Sequence, residues 1–300
     1  MIGVLNINKP RGVSSSFVVV KIKKLLNTKK VGHMGTLDPL AQGVLPICVG
    51  KATKLFDYFL KKKKTYIATF QFGYQTSTLD LEGEIEKRCN LIPTKQQLEE
   101  AAKQMIGISM QMPPKYSSKK IAGKKACDLV RDGKEVNLKS CQIQIFDFKL
   151  LSQLSTDTFE FEITCSAGTY IRSIARDLAF KVGSLATMTK LIRTKSGVFE
   201  IKDSIDFELL DKIDLQNELL TLNEVLVEYA SINISAKILK DLLDGKTVFI
   251  SEIATQNENS FLFKSKNNFT NQDFFKIVCE SNIVAMGFIQ DNILKVKTYF

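Results

Sequence analysis

One histidine, His33, occurs in 300 residues, and that scarcity excludes much chemistry. A Ser-His-Asp or Cys-His arrangement would have to run through this single ring, and no G-x-S-x-G nucleophile motif accompanies it. The six cysteines (Cys48, Cys89, Cys127, Cys141, Cys165 and Cys279) form no C-x-x-C pair. A zinc site would need remote, unpatterned ligands and is rejected, and the thiols read as small buried apolar residues. No apolar run approaches the ~20 residues that span a bilayer. The opening MIGVLNINKPRG lacks the basic and long apolar regions of a secretory signal. The expectation is a cytoplasmic protein without membrane contact. With 44% hydrophobic and 25% charged residues, it has enough apolar content for one large domain and a small companion.

Acidic residues are scarce in one region. Residues 1–64 hold thirteen Lys or Arg against Asp38 and Asp57, a net +11, whereas the remainder of the chain carries −1. Such local excess suits a polyanion, because Lys and Arg that neutralise phosphates release condensed counterions. An anionic membrane fits less well, since no strongly apolar helical face lies beside these lysines.

What is present reads as α+β. The serines after KPRG can cap a helix through Leu26, with Val18, Ile22, Leu25 and Leu26 on one face. Residues 27–54 are glycine-rich and loop-like, with a short apolar run at Val44–Val49. KTYIATFQFG alternates as a strand with Tyr66, Ala68, Phe70 and Phe72 on one face. Thr94 and Gln97 predict a capping box for a helix over residues 94–106. CQIQIFDFKL is a strand with a bulge near Ile145–Phe146, FEFEITC is another, and GTYIRSIARDLAFKVG is a helix capped by Thr169. Strands do not alternate regularly with helices, so a mixed, mostly antiparallel sheet with flanking helices is expected over residues 1–230. Residues 231–300, which include an Asn-rich stretch at 257–272, are expected to form a small β-rich domain.

Asp38 lies at the centre of GHMGTLDPLAQGVLPICVGKATK. The residue before a proline is driven toward extended backbone, so its carboxylate is presented on a loop. That suits a nucleophile, a base or an electrostatic stabiliser, and equally an Asx-turn. The same stretch is not a phosphate-binding P-loop: six residues separate Gly43 from Gly50, and Ala52 follows the lysine. Arg172 stands in a helix's first turn, where the dipole disfavours a cation, so a nearby carboxylate or phosphate would explain it. Tyr66 is either an edge-of-core tyrosine or a platform for a base.

These segments, together with LNINKPRGVSS, PPKYSSKKIAGKK, CSAGTYIRSIARDL and LIRTKSG, resemble the bacterial tRNA pseudouridine synthase B family. The resemblance covers most of the chain. It implies isomerisation of uridine 55 in the tRNA T loop, with no metal or organic cofactor; the alternatives are a non-catalytic RNA-binding or tRNA-folding protein on the same scaffold, or a uridine isomerase with a different RNA target. Asp38 matches the family's catalytic aspartate, Arg172 the arginine paired with it, and Tyr66 the tyrosine stacked on the target uracil. His33 matches the histidine that takes the flipped nucleotide's place, and Tyr170 and Leu191 match positions lining the uridine pocket. Lys9, Arg11, Lys51, Lys54 and Lys115 are expected on the RNA backbone, the T-stem-loop is the expected partner, and the protein is expected to be a monomer. The sequence departs from the family at Ser118, Lys119, Cys127 and Ile192, which touches RNA contacts more than chemistry. The last seventy residues resemble the family's small RNA-binding PUA domain loosely.

Overall fold

The computed structural model describes residues 1–117, 119–121, 123–134, 136–254 and 274–300; of 120, 121, 124, 125, 127, 131 and 254 it describes the backbone alone. Ser118, the Cys127 side chain and the Asn-rich stretch lie outside what is described.

Apolar alternation builds a ten-stranded mixed sheet. Its main path runs Ile205–Asp206, Gly3–Lys9, Gln42–Val49, Ala186–Ser196, Lys64–Phe72, Thr158–Cys165, Cys141–Gln153 and Gly107–Gln111. Two neighbouring pairs are parallel, Gly3–Lys9 with Ile205–Asp206 and Ala186–Ser196 with Gln42–Val49; the rest are antiparallel. The alternation read from KTYIATFQFG and FEFEITC becomes a shared aromatic layer. Phe70 and Phe161 lie 5.1 Å apart, and Phe72 and Phe159 5.7 Å. Helices Ser15–Leu25, Lys95–Gln104 and Ile171–Lys181 bury Ile22, Leu98 and Leu178 in that same core. The bulge falls between Ile145 and Asp147.

Three local expectations need correction. Val44–Val49 is no loop segment: it belongs to the inner strand Gln42–Val49, buried on both faces, which is why it reads as an unbroken apolar run. Leu25 is exposed, and Val19 takes its place on the buried face of the first helix. The N-cap of the Ile171–Lys181 helix is Tyr170, without a side-chain cap bond; the Thr169 hydroxyl lies against Ser166 instead.

Toward the C-terminus, Ser231–Asn233, Phe275–Cys279, Asn282–Gln290 and Ile293–Tyr299 form a separate four-stranded sheet. Asp291 and Asn292, both with positive φ, turn its last hairpin. The two sheets share an apolar cluster in which Ile283 and Met286 meet Met34, Val44, Tyr58 and Phe59. That packing holds the smaller sheet against the chain segment just before the catalytically expected Lys64–Phe72 strand.

Candidate active site

The Asp38 loop is held from both sides. Ser15 Oγ accepts from Leu37 N (2.8 Å) and donates to Leu37 O (2.9 Å). On the other flank, Gly12 N donates to Pro39 O at 2.8 Å. Asp38 O closes the turn by accepting from Ala41 N. The carboxylate itself goes elsewhere: Oδ2 lies 2.8 Å from Arg172 Nη2. Asp38 keeps 40% of its side chain exposed, whereas Arg172 keeps 8%. The Asx-turn reading therefore loses its hydrogen bond to an ion pair.

Arg172 is fixed independently of Asp38. Nη1 donates to Thr78 O (3.0 Å) and Nη2 to Tyr116 O (3.1 Å). Behind it, Asp80 Oδ2 lies 3.2 Å from Nη1 with 2% of its side chain exposed. Thr78 Oγ1 and Glu82 N hold the other Asp80 oxygen. The guanidinium thus bridges a buried carboxylate and one facing solvent. These two anions account for a cation that the helix dipole disfavours.

Asp38, Tyr66, Tyr170, Arg172 and Leu191 converge on one cavity of about 240 Å³, together with Lys64 and Arg193. This is below the ~300–1,000 Å³ of drug-sized pockets and suits one planar base. Strand register explains the convergence. Tyr66 pairs with Arg193, and Ala68 with Leu191, across neighbouring antiparallel strands. Residues two apart share a face, so Leu191 and Arg193 both reach the cavity and Ile192 turns away. The cation lost at Ile192 is therefore not a cavity cation. Burial pushes the Tyr66 phenol up, Arg193 opposing, and burial likewise pushes Tyr170 up. Both rings are neutral at physiological pH. Gln111, itself buried, clamps Tyr170 by accepting from its N–H (2.9 Å) and donating to its carbonyl (3.2 Å).

Arg193 and Asp80 were not singled out by the sequence. Arg193 is 1% exposed, and its donors reach Val44 O (2.7 Å), Gly35 O (3.1 Å) and Thr36 O (3.4 Å). It ties the loop that carries Asp38 to two strands. Gly43 permits this approach: at φ +104°, a Cβ there would sit 2.3 Å from the Arg193 carbonyl oxygen. The signal for Arg193 was its position two residues beyond Leu191 in a strand.

The expected RNA-backbone residues separate. Arg11, Lys51, Lys54 and Lys115 are exposed, and Lys54 Nζ reaches Tyr299 O (2.9 Å). Lys9 is not available to phosphate. It is fully buried and donates to Pro10 O and Val13 O (2.8 Å each) and Pro39 O (3.5 Å). Burial brings its ammonium down to about 8, against an opposing pull from Asp38. Lys9 is a brace for the Asp38 loop. His33, on the short strand Val31–His33, does not line the cavity; its Nδ1 is buried without a partner among the described residues, and burial lowers its pKa, with Arg193 adding to this. Lys119 binds Lys139 O (2.9 Å) and Cys141 Sγ (2.8 Å). Cys48, Cys165 and Cys279 are buried as expected, but Cys89 and Cys141 are partly exposed. Among the described residues no three His, Cys, Asp or Glu side chains gather to hold a metal ion, and no helix is long and apolar enough to cross a membrane.

Residues 23–171 match the TruB family pseudouridylate synthase (N terminal domain). The tRNA pseudouridine synthase B of Clostridium kluyveri is 34% identical over 301 residues, covering 100% of both chains. That of Ehrlichia canis is 39% identical over 260 residues, 84% of this chain and 86% of the relative. Among solved structures, a Cbf5-Nop10-Gar1 complex matches with a TM-score of 0.73 at 23% identity, covering 99% of this chain and 84% of that one. An H/ACA RNP bound to a substrate RNA containing 2'-deoxyuridine matches with a TM-score of 0.72 at 21% identity, over 99% and 84%. At these identities the two structures speak for the fold.

Proposed function

The chain belongs to the tRNA pseudouridine synthase B family and forms pseudouridine in tRNA, and from that premise we propose that its target is uridine 55 of the T loop, with Asp38 as the catalytic carboxylate. The observation that carries this reading is the Asp38–Arg172 pair at the wall of a base-sized cavity whose other side is Tyr66. The net reaction breaks N1–C1′, turns the uracil and joins C5 to C1′; the C5 hydrogen leaves to solvent and N1 gains one. A base inside a folded loop must leave its stack first, which costs a few kcal/mol recovered by contacts in the pocket. Tyr66, neutral and held by strand pairing, provides the stacking face. Tyr170 and Leu191 close the apolar sides. Arg172, braced from behind by Asp80, aims one Asp38 oxygen and leaves the other for the ribose or the base. Residues 1–230 carry this chemistry, and residues 231–300 serve RNA binding.

Tritium release from a T-stem-loop labelled at uridine C5 tests the reading. Wild type is expected to release tritium. Asp38→Asn is expected to lose at least about a hundredfold in rate while still binding the RNA. Full release by Asp38→Asn would remove the carboxylate from the mechanism. Equal release from hairpins of other sequence would remove the T-loop assignment.

A further inference from the structure

A second concavity lies beside the active-site cavity, at the seam between the two sheets. It encloses about 550 Å³, and Leu60 lines both it and the active-site cavity. Its walls are built by fixed contacts. Tyr58 meets Phe274 edge-on at 5.0 Å and Tyr229 at 6.2 Å. Tyr58 also hydrogen-bonds Thr298 (3.2 Å), and the Tyr229 hydroxyl donates to Tyr58 O (3.2 Å). Lys62 lies over the Tyr229 ring and pairs with Glu228 at 2.7 Å, so its charge is already used. Of the three further lysines in its lining, Lys54 donates to Tyr299 O (2.9 Å), and the other two differ from it. Lys61 and Lys297 are exposed and make no ion pair among the described residues. Lys61 stands in the turn just before the large sheet's Lys64–Phe72 strand, and Lys297 in the small sheet's last strand.

We propose that this seam groove is an RNA-backbone subsite: it takes the phosphodiester chain of the same RNA whose uridine enters the cavity, with phosphates on Lys61 and Lys297. The proposal rests on the reading of Asp38's cavity as the uridine site. Three observations favour this occupant. Leu60 is a wall common to the groove and the cavity, so a strand that leaves the cavity over Leu60 has this surface next to it. The free charge on its rim is positive, against Asp57 as the acid in its lining. Tyr58, Tyr229 and Phe274 in its lining are held by one another and by Lys62, so the groove presents a fixed wall to the chain that crosses it. Lys61 precedes a strand of the large sheet and Lys297 lies within the small one, so an RNA lying across them couples the small sheet to substrate affinity.

The test measures equilibrium binding of labelled full-length tRNA by the whole protein across a salt series, with turnover measured in parallel. Lys61→Ala/Lys297→Ala is expected to lower the slope of log affinity against log salt by about two, one per phosphate contact. KM should rise several-fold and kcat should stay at wild-type value. Charge reversal at the same two positions should deepen the loss, and the melting temperature should not move. A control pair outside the groove's lining, the exposed Lys212→Ala/Lys237→Ala, should leave the slope unchanged. A wild-type slope and KM in the Lys61/Lys297 variants would overturn the subsite, as would an equal slope loss in the control pair. Because binding is read directly, this outcome is distinct from a wild-type protein that binds tRNA and releases no tritium, which would overturn the uridine-site reading instead.

Discussion

Leu60 separates two collections of positive charge that are held in opposite ways. In the cavity, Lys64, Arg172 and Arg193 are buried, and their N–H groups end on fixed acceptors. Lys64 donates to Lys62 O (2.6 Å), Leu60 O (2.7 Å) and Phe59 O (3.4 Å). In the seam groove, Lys61 and Lys297 stand in solvent with their charge uncommitted. A buried cation whose donors are all occupied cannot collect a new ligand cheaply, but it fixes the loops whose carbonyls it binds. An exposed lysine fixes nothing and gives its full charge to a phosphate, with released counterions as the gain. The cavity cations therefore organise, whereas Lys61 and Lys297 keep their charge for a phosphate, as the proposed subsite requires.

The largest test of that division is at Arg172. Arg172→Met would leave the 2%-exposed Asp80 carboxylate without its cation. Breaking such a pair from one side costs about 3–5 kcal/mol, readable as a lowered midpoint in urea unfolding. Asp38→Asn removes the other partner of the same arginine, yet Asp38 is 40% exposed. Its unfolding midpoint should move by no more than about 1 kcal/mol in equivalent free energy. The two variants should thus resemble each other in turnover and differ in stability. Equal midpoints would show that Asp80 does not depend on Arg172.

A smaller effect separates Lys9 from the surface lysines by pH. Burial brings Lys9 down to about 8 from an ordinary 10.5, and Lys64 likewise to about 8. Between these values the unfolded chain holds a proton that the folded chain has released. The unfolded state then binds more protons, so this contribution makes the fold more stable as pH rises from about 8 toward 10.5 and is constant below about 8. Urea midpoints of wild type and Lys9→Met, compared at intervals from pH 7 to 10, should diverge in favour of wild type as pH rises. Parallel curves would mean that Lys9 titrates as a surface lysine does.

The residues that break a local rule were legible in the sequence. Asp38 sits before proline on a loop with no acidic neighbours, Arg172 opposes its helix dipole, and Tyr66 heads a clean alternation. Each of these can be noticed within one window. Arg193 and Asp80 cannot, because their significance is the partner they meet across the sheet. Asp80 looks like a turn residue beside Thr78 until Arg172, distant in the chain, is brought against it. Arg193 looks like the polar half of an alternating strand until parallel pairing with Gly43 buries it. The strand Gln42–Val49 was hidden by its own glycine and proline. Pro46 nevertheless sits in it, its carbonyl accepting from Met34 N at 2.9 Å. Charge counting failed in a similar way: the +11 of the first 64 residues includes two ammonium groups, Lys9 and Lys64, that face inward.

The smallest effect belongs to the tightest pair, Lys9 and Arg11, two residues apart in KPRG. One is fully buried against carbonyls and the other is exposed. Arg11→Ala should lower the salt slope of tRNA binding by about one and weaken affinity alike for every RNA sequence. Its kcat and melting temperature should match wild type, because the Arg11 side chain is exposed and makes no hydrogen bond or ion pair among the described residues. Lys9→Met should do the converse, moving the melting temperature and leaving the slope alone. If Arg11→Ala instead melts early with an unchanged slope, exposure does not distinguish binding cations from organising ones. Lys61 and Lys297 would then have no better claim on RNA than the buried cations, since the same distinction assigns them to it.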